Sequence, residues 1–327
     1  IEKERILTNI YSPGTYFSND TTKISNNVVC IWCQQTKKSV IIGASNVDIF
    51  TGKSFIFEYE EELFKHKTIF DELELFISIY NPNEIIIIYD FDDEKYIDSL
   101  ISFSSINSNC IHKINLNDIN NENTIKAKKC TKQLFQKEII KDYFENENSI
   151  DIYSYEVACQ SFCYLLDFIY SHNPNLIKKI NFPKFENSGN RTVLGNHSLK
   201  QLNIINTDNK NKFHSVEKLL NVCITPMGKR KISHIISHPT YDSNKLNMEY
   251  NICEHLIKKD KIQEIRTKLT SIKDLEKIHR KFFLCKITPN ELYYLYNNLT
   301  TISDIYKLTN KDKKIKKFVD ELIKENI

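Results

Sequence analysis

Two aspartates at the ends of strand-like runs are the residues of this chain best suited to do chemistry. Asp48 ends one such run, and Asp90 follows the continuous apolar run Glu84–Tyr89. Carboxylates gathered at strand ends can hold two Mg²⁺ ions that activate water for hydrolysis of nucleic acid. This nuclease hypothesis requires Asp48 and Asp90 to lie close together.

The carboxylate set is incomplete, however. Asp92 and Asp93 fall on a loop and Asp142 lies on a late helix, so no third ligand is evident. The alternative is structural, with Asp48 capping a strand end and pairing with Thr51 or Lys53. We favour the structural interpretation.

Neither the cysteines nor the histidines have the spacing of a metal site. Cys30 and Cys33 form C-x-x-C in a strand-like run, where residues three apart face opposite sides. No second pair follows at zinc spacing. His234 and His238 are one helical turn apart, but Ile235 stands where a metalloprotease helix has glutamate. The sequence therefore predicts no metal.

Other classes of protein are excluded by what the sequence lacks. It has no G-x-x-x-x-G-K-[ST] motif, the phosphate cradle of P-loop ATPases, and Met227-Gly228-Lys229 has no preceding glycine loop. No apolar run reaches the roughly 20 residues of a membrane span. The nine cysteines, read as reduced thiols, favour an intracellular location, cytoplasmic or nuclear. An organelle or a virus of AT-biased genome stays open.

Charge divides the chain into two unlike parts. Residues 1–149 carry 16 basic and 23 acidic residues, whereas residues 150–327 carry 29 basic and 19 acidic residues. A basic second part favours an anionic partner such as nucleic acid. The candidate DNA-backbone contacts are Lys311, Lys313, Lys314, Lys316 and Lys317. The same lysines could equally be a solvated helix face.

The elements that position these residues change in kind along the chain. Strand-like runs joined by turns and followed by alternating helices and strands predict an α/β sheet domain over 27–147. Residues 1–26 have the turn residues of a linker. Glu145–Ser149 (ENENS) is the predicted boundary, and helices dominate 150–327. The predicted strands are 28–34, 39–48, 53–59, 84–89 and 110–116, and the predicted helices of the first domain are 60–80, 94–103 and 125–144.

Three short helices with sharp punctuation are predicted over Ser215–Tyr250. Thr225 is a good N-cap, and Pro226 occupies the first helical position. Pro239 ends this second helix. The residues predicted to face inward are Val216, Leu219, Leu220, Cys223, Ile232, Ile235, Ile236, Leu246, Tyr250 and Ile252.

This segment resembles the entry to the core domain of the MutS DNA mismatch-repair family, where a short amphipathic helix leads into T-P-M-G. The matching residues here are Thr225, Pro226, Met227, Gly228, Lys229 and Arg230, an interdomain or core motif. The other resembling segments, in family order, are Arg5-Ile6-Leu7 with Ser12-Pro13-Gly14-Thr15 (the R-x-x-T-P-G-T linker, with Asn9, Ile10 and Tyr11 extra), Leu194–Leu202, Ile272–Ile278 (the D-L-E-R helix) and Ile287–Leu292 (the S-P-R-D-L turn).

The resemblance implies an RNase H-like connector domain over 27–147 and a partial helical core/lever domain over 150–327, with 1–26 leaving a mismatch-reading domain. It implies a fragment that is itself no enzyme and needs no cofactor. The intact protein would be a DNA-dependent ATPase that uses ATP and Mg²⁺. It would bind duplex DNA with mismatches or loops as a homo- or heterodimer and meet a MutL-like protein, with no membrane.

Two alternatives stay open. One is an RNase H-like, Mg²⁺-dependent nuclease with a helical DNA-binding domain, which magnesium-dependent cleavage would favour. The other is a non-catalytic scaffold that docks repair proteins, which capture of a partner by the α/β domain would favour.

Overall fold

A computed structural model gives two compact units. It describes residues 10–18, 23–37, 39–62, 67–91, 93–104, 106, 110–144, 152–186, 199, 201–205, 214–237, 239–258 and 262–326. The first, the sheet unit, comprises Ile1–Asn187 with Gly195–His197. The second, the helical unit, comprises Ser188–Leu194 and Ser198–Ile327.

A six-stranded mixed sheet forms the centre of the sheet unit. Its strands are β1 (Asn27–Gln35), β2 (Ser39–Asp48), β3 (Ser54–Glu62), β4 (Glu84–Tyr89), β5 (Cys110–Asn115) and β6 (Lys184–Phe185). The strand order is β5-β4-β1-β2-β3-β6. β2 is antiparallel to β1 and β3, whereas β4 is parallel to β1 and β5. All six residues of β4 are buried, as its continuous apolar run predicts.

Helices cover both faces of this sheet. They are α1 (Asp71–Tyr80), α2 (Lys95–Phe103), α3 (Glu122–Cys130), α4 (Gln133–Tyr143) and α5 (Glu156–His172). Residues such as Ile31 in β1 share one core with Leu73 of α1 and Leu100 of α2. The opposite face is covered by α5, whose Ser161 hydroxyl donates to the Cys30 carbonyl at 2.8 Å.

The position of α5 extends the sheet unit beyond the boundary predicted at 145–149, a segment that itself lies outside the described residues. The Glu58 carboxylate of β3 accepts a hydrogen bond from the Ala158 amide at 2.8 Å, at the N-terminal end of α5, where a negative charge is favourable. The Ser45 and Ser161 hydroxyls are 2.7 Å apart. A helix predicted to open the second domain is therefore part of the first unit.

Two predicted helices also differ in extent. The predicted helix 60–80 begins only at Asp71, because Glu60–Glu62 continue β3 and pair with β2. The predicted helix 125–144 is two helices, α3 and α4. The Gln136 side chain donates to the Cys130 carbonyl at 2.8 Å and so satisfies an acceptor at the end of α3.

The helices of the helical unit between residues 214 and 326 follow one another in chain order. They are α6 (Val216–Leu220), α7 (Pro226–Ser237), α8 (Ser243–Lys258), α9 (Ile262–Leu269), α10 (Leu275–Phe283), α11 (Pro289–Asn310) and α12 (Lys313–Asn326), so the three helices predicted over 215–250 are present. Among its described residues, the buried apolar side chains are Leu199, Ile272, Ile278, Leu284 and Ile315. The buried polar ones are Ser215, Ser237, Lys277, Arg280, Lys281, Asn298 and Asp312. Polar contacts therefore have an unusual share in fixing these helices.

The prediction that the apolar faces of α6 to α8 are buried is wrong. Val216, Leu219, Leu220, Ile235 and Tyr250 are exposed, and Cys223, Ile232, Ile236, Leu246 and Ile252 are only partly buried. The apolar periodicity is real, but the described part of the helical unit offers few apolar partners to cover it.

The close contact between β2 and α5 gives a first test. A Cβ on Gly43 would lie 2.4 Å from the Ala158 backbone nitrogen and 2.5 Å from the Val157 carbonyl carbon. Backbone atoms cannot move aside cheaply, so we expect Gly43→Ala to destabilise the sheet unit by about 3 kcal/mol or more. Fluorescence of Trp32, the single tryptophan, measures this unfolding, because Trp32 is the cross-strand partner of Gly43.

The control is Gln35→Ala at the exposed end of β1, which should change stability by less than about 0.5 kcal/mol. A Gly43→Ala protein that is as stable as the control would show that α5 does not pack on this face.

Candidate functional site

The T-P-M-G segment is a capped helix start. Thr225 Oγ1 accepts a hydrogen bond from the Gly228 amide at 3.2 Å, so the predicted N-cap is present. Pro226 occupies the first position of α7, where its missing N–H leaves no helical hydrogen bond unmade. Met227 and Lys229 are partly buried, and the Lys229 carbonyl accepts from the Asn221 side chain at 3.1 Å. The segment fixes how α7 leaves the preceding turn.

Arg230 joins this segment to the start of α10. Its guanidinium donates two parallel hydrogen bonds to the Asp274 carboxylate, at 2.7 and 2.8 Å. It also reaches Glu276 Oε2, at 2.5 Å from one terminal nitrogen and 3.1 Å from Nε. The fork geometry of arginine is suited to such bidentate contacts, and lysine could not reproduce them. The two blocks that resemble MutS motifs are thus in direct contact.

Asp274 has a second role in the same place. Its carboxylate accepts a hydrogen bond from the Lys277 amide at 3.2 Å and so caps α10. Burial alone lowers the pKa of Arg230, but hydrogen bonds and charges from Asp274 and Glu276 outweigh it and raise the pKa above its ordinary value. Arg230 therefore stays charged, and the α10 N-terminus and α7 are held by one carboxylate.

Further polar contacts continue from α10 to α11. Lys281 Nζ lies 2.5 Å from Glu291 Oε1, with both side chains largely buried. Thr288 and Glu291 form a reciprocal capping box at the start of α11, with Pro289 at the first helical position. The Lys273 amide donates to Asn298 Oδ1 at 3.2 Å. The predicted T-P-N-E-L turn is therefore a helix start fixed by α10.

The candidate DNA-backbone lysines lie in the open. Lys311, Lys313, Lys314, Lys316 and Lys317 are all exposed. Three of them, Lys313, Lys316 and Lys317, share one face of α12 with Asp320 and Glu321. Lys317 is 3.7 Å from Glu321. This face carries three cationic side chains diluted by two carboxylates.

The two aspartates of the nuclease hypothesis lie at opposite ends of the sheet. Asp48 pairs with Asn27 at the start of β1, whereas Asp90 Oδ1 accepts from the Gln35 amide at its end, at 2.9 Å. A rise of about 3.3 Å per residue puts these ends roughly 26 Å apart. Two-metal catalysis needs ions about 4 Å apart. Asp48 and Asp90 cannot share a metal pair.

Asp48 instead organises the turn that follows β2. Its Oδ1 accepts from the Asn26 and Phe50 amides, both at 3.0 Å, and its Oδ2 accepts from the Thr51 hydroxyl at 2.7 Å. The Asp48 amide donates to the Lys53 carbonyl at 2.9 Å. The predicted side-chain pairing is present with Thr51, and the contact with Lys53 is a backbone hydrogen bond.

The two cysteines of the C-x-x-C motif do not come together. Cys33 lies in the core with α1 and α2, whereas Cys30 is on the α5 face, where burial raises the pKa of its thiol to about 12. These two thiols face opposite sides of the sheet, as predicted. The predicted His234–His238 pair includes His238, which lies outside the described residues.

The sequence interpretation missed an anchor at the start of β4. The Glu84 side chain is completely buried. One of its oxygens accepts from the Ser12 hydroxyl and, at 3.0 Å, from the Gly14 amide, and the other is 2.7 Å from His112 Nε2. A Cβ on Gly14 would collide with the Glu84 Cβ at 2.7 Å. The S-P-G-T turn is thus held on the sheet by one carboxylate.

Two signals in the sequence could have found this anchor. Glu84 is a charged residue opening an otherwise apolar buried strand, and Cys110-x-His112 has the two-residue spacing that puts both side chains on one face of a strand. Burial alone raises the pKa of the Glu84 carboxyl, but hydrogen bonds from His112, Ser12 and Gly14 outweigh it and lower that pKa.

The chain has an α/β unit followed by a helical unit in which two motif blocks are in contact. Comparison with known proteins shows what this chain is similar to. The family model for MutS domain III matches residues 197–327. A mutS homolog of Acanthamoeba polyphaga mimivirus, described as a DNA mismatch repair protein, is 27% identical over 343 residues, covering 94% of this chain and 29% of that protein. The MutS of Clostridioides difficile is 26% identical over 335 residues, covering 98% and 31%.

These matches run along nearly the whole chain. The chain is similar to MutS DNA mismatch-repair proteins, and its residues 197–327 match the model for their domain III. It spans about a third or less of the length of these curated relatives. A solved Fowlpox virus resolvase bound to Holliday junction DNA covers 44% of this chain and 97% of its own, at 19% identity and a TM-score of 0.28, which is too low to establish a shared fold. No helix in the described ranges has the length and apolar character needed to cross a membrane.

Crowding at the helix start gives a second test. A Cβ on Gly228 would lie 3.1 Å from Thr225 Oγ1 and 3.3 Å from Cys223 Cβ. Alanine is a better helix former than glycine by about 1 kcal/mol. At position 228, however, its methyl group would crowd the Thr225 hydroxyl that caps the helix. We expect Gly228→Ala to be destabilising in the native sequence and neutral or stabilising in a Thr225→Ala background.

The measurement is a double-mutant cycle on the free energy of unfolding, with unfolding monitored by far-UV circular dichroism. The expected coupling between positions 225 and 228 is about 0.5–1 kcal/mol. Additive effects would mean that the cap and the glycine are independent, and a stabilising Gly228→Ala in the native sequence would show that the crowding is too weak to matter.

Proposed function

We propose that this chain is the connector and lever part of a MutS-like mismatch-repair protein, linking mismatch binding to an ATPase elsewhere in the intact protein. The observation that carries the proposal is the contact of Arg230 with Asp274 and Glu276. It ties α7 to α10, so that helices on either side of the contact shift as one body. Rigid elements of this kind are what transmit a change between distant sites.

We further infer that the sheet is RNase H-like, as expected of a connector domain. Three antiparallel strands, β1 to β3, with β4 and β5 added in parallel beside β1 support this assignment. The catalytic version of this fold needs clustered carboxylates, and Asp48 and Asp90 are at opposite ends of β1. A non-catalytic connector therefore agrees better with the geometry than a nuclease does.

The uncovered apolar side chains support a helical unit that belongs to a larger helical domain. Besides the faces of α6 to α8, Leu292, Tyr293, Tyr296 and Leu299 of α11 are exposed. Exposed apolar side chains gathered on one face of a helix often mark an interface. A core/lever domain with further helices would cover these side chains.

For the intact protein we propose binding of mismatched or looped duplex DNA as a homo- or heterodimer, with ATP and Mg²⁺ as cofactors and a MutL-like protein as partner. The chain has no P-loop motif, so we assign no ATP contact to any of its residues. The scaffold alternative stays a prediction and would be favoured by partner capture through the sheet unit.

We assign DNA-backbone contacts to the helical unit on the basis of charge. Residues 1–187 carry 19 basic and 27 acidic residues, and residues 188–327 carry 26 basic and 15 acidic residues. The difference in net charge between the two parts is therefore larger with the boundary at 187 than with the boundary at 149. The exposed lysines of α12 are the densest basic group, although Asp320 and Glu321 lie on the same face.

Salt dependence tests this assignment. Each phosphate contact that is lost should lower the slope of log affinity against log salt by about 0.9. We expect a quadruple variant, Lys313→Gln, Lys314→Gln, Lys316→Gln and Lys317→Gln, to bind duplex DNA more weakly and with a flatter slope. The matched control is Lys128→Gln, Lys129→Gln, Lys132→Gln and Lys137→Gln, which removes the same charge from exposed positions of the sheet unit.

Comparison of the two variants distinguishes direct contact between α12 and DNA from a general effect of the net charge of the protein. Equal flattening in both would show a general charge effect, and an unchanged slope in the α12 variant would make its lysines a solvated face. Matched and mismatched duplexes should bind the native chain alike, and a clear mismatch preference would contradict the assignment of mismatch reading to another part of the protein.

A further inference from the structure

Three potential metal ligands meet at one edge of the sheet unit. Glu84 opens β4 and Cys110 opens β5, and the two are direct cross-strand partners. His112 lies two residues further along β5, on the same face as Cys110. Across the described ranges, these are the only three histidine, cysteine or acidic residues with all their ligand atoms within 4.8 Å of one another.

The separations between these ligand atoms are close to those of a tetrahedral zinc site. Zn–S bonds of about 2.3 Å and Zn–N and Zn–O bonds of about 2.0 Å put tetrahedral ligand atoms roughly 3.3–3.6 Å apart. Cys110 Sγ is 3.3 Å from His112 Nε2 and 3.6 Å from Glu84 Oε1. Only the 2.7 Å distance between His112 Nε2 and Glu84 Oε1 must open, as it would when an ion replaces their hydrogen bond.

The surroundings hold two of the three ligands in place. The second Glu84 oxygen is fixed by Ser12 and by the Gly14 amide at 3.0 Å, so the first is aimed at His112 and Cys110. The His112 ring packs against Phe168 of α5, with ring centroids 5.5 Å apart. Supporting contacts of this kind orient ligands in metal proteins.

We infer that Glu84, Cys110 and His112 form a binding site for one zinc ion, with a fourth coordination position open to water. Thiolate, imidazole and carboxylate together suit zinc and disfavour Mg²⁺ or Ca²⁺, which take oxygen ligands. The Cys110 thiol loses its proton to solvent on binding, and thiolate and carboxylate then balance the two charges of the ion. His112 is about two-fifths exposed, so the ion has a path from solvent. The bound ion would tie β4 to β5 and, through Glu84, to the Ser12–Thr15 turn.

The test uses the untagged full chain, reduced and stripped with a chelator. Co²⁺ should give the visible bands of a tetrahedral site and a near-ultraviolet thiolate charge-transfer band, saturating at one equivalent. Zn²⁺ should displace Co²⁺ stoichiometrically and raise the melting temperature measured by Trp32 fluorescence. Cys110→Ser should abolish the charge-transfer band, and Cys110→Ser and His112→Gln should each lower Zn²⁺ affinity by more than about tenfold.

The matched control is the double variant Cys253→Ser and Cys285→Ser, which removes two exposed thiols of the helical unit and should keep full binding. Trp32 fluorescence confirms that each variant is folded. Glu84→Gln is not used, because it would also remove the buried carboxylate that holds the Ser12–Thr15 turn. Absence of the charge-transfer band from the native chain, or Zn²⁺ affinity unchanged in a folded Cys110→Ser protein, would overturn the site.

Discussion

The arrangement of the helical unit depends on one arginine. Arg230 lies between Asp274 and Glu276 and makes a bidentate contact with Asp274, which at the same time caps α10. Because few apolar side chains are buried among the described residues of this unit, the hydrophobic effect alone does not define where α7 and α10 lie. Removing one member of a largely buried ion pair leaves the others uncompensated, so such a contact is more costly to break than a surface pair. A second largely buried ion pair, between Lys281 and Glu291, joins α10 to α11 in the same way.

The sheet unit is built in the opposite way. Its core is a closely packed apolar layer on each side of β1, and three of its carboxylates anchor particular turns and helix ends. Glu58 receives the N-terminal end of α5, Asp48 organises the turn after β2, and Glu84 holds the Ser12–Thr15 turn. A sheet unit with a packed apolar core and a helical unit held by ion pairs agree with the proposed role of passing a change of arrangement between parts of the intact protein.

Local patterns predicted much of this structure. The apolar run Glu84–Tyr89 and the T-P helix start have short-range causes, and the strand and the Thr225 N-cap are where those rules put them. The capping box of Thr288 and Glu291 also has a local cause, but this segment was predicted only as a turn. What failed depends on distant contacts. Helix α5 packs on the sheet because Gly43 leaves room for its backbone and Glu58 accepts a hydrogen bond from its N-terminal end. The sequence around Gly43 and Glu58 gives no sign of either contact. The contact of Arg230 with Asp274 joins residues 44 positions apart, and the Glu84, Cys110 and His112 group depends on strand register. No periodicity encodes such pairs.

A double-mutant cycle between Arg230 and Asp274 tests the central claim most directly. Arg230→Met keeps the apolar stem, and Asp274→Asn keeps a good N-cap while removing the charge. The free energy of unfolding of the helical unit is measured by far-UV circular dichroism, with Trp32 fluorescence reporting the sheet unit separately. The exposed pair Lys307 and Asp304, 3.6 Å apart, is the control, with an expected coupling below about 0.5 kcal/mol. The account predicts a coupling between Arg230 and Asp274 of about 1.5–3 kcal/mol; additivity as complete as in the control pair would contradict it.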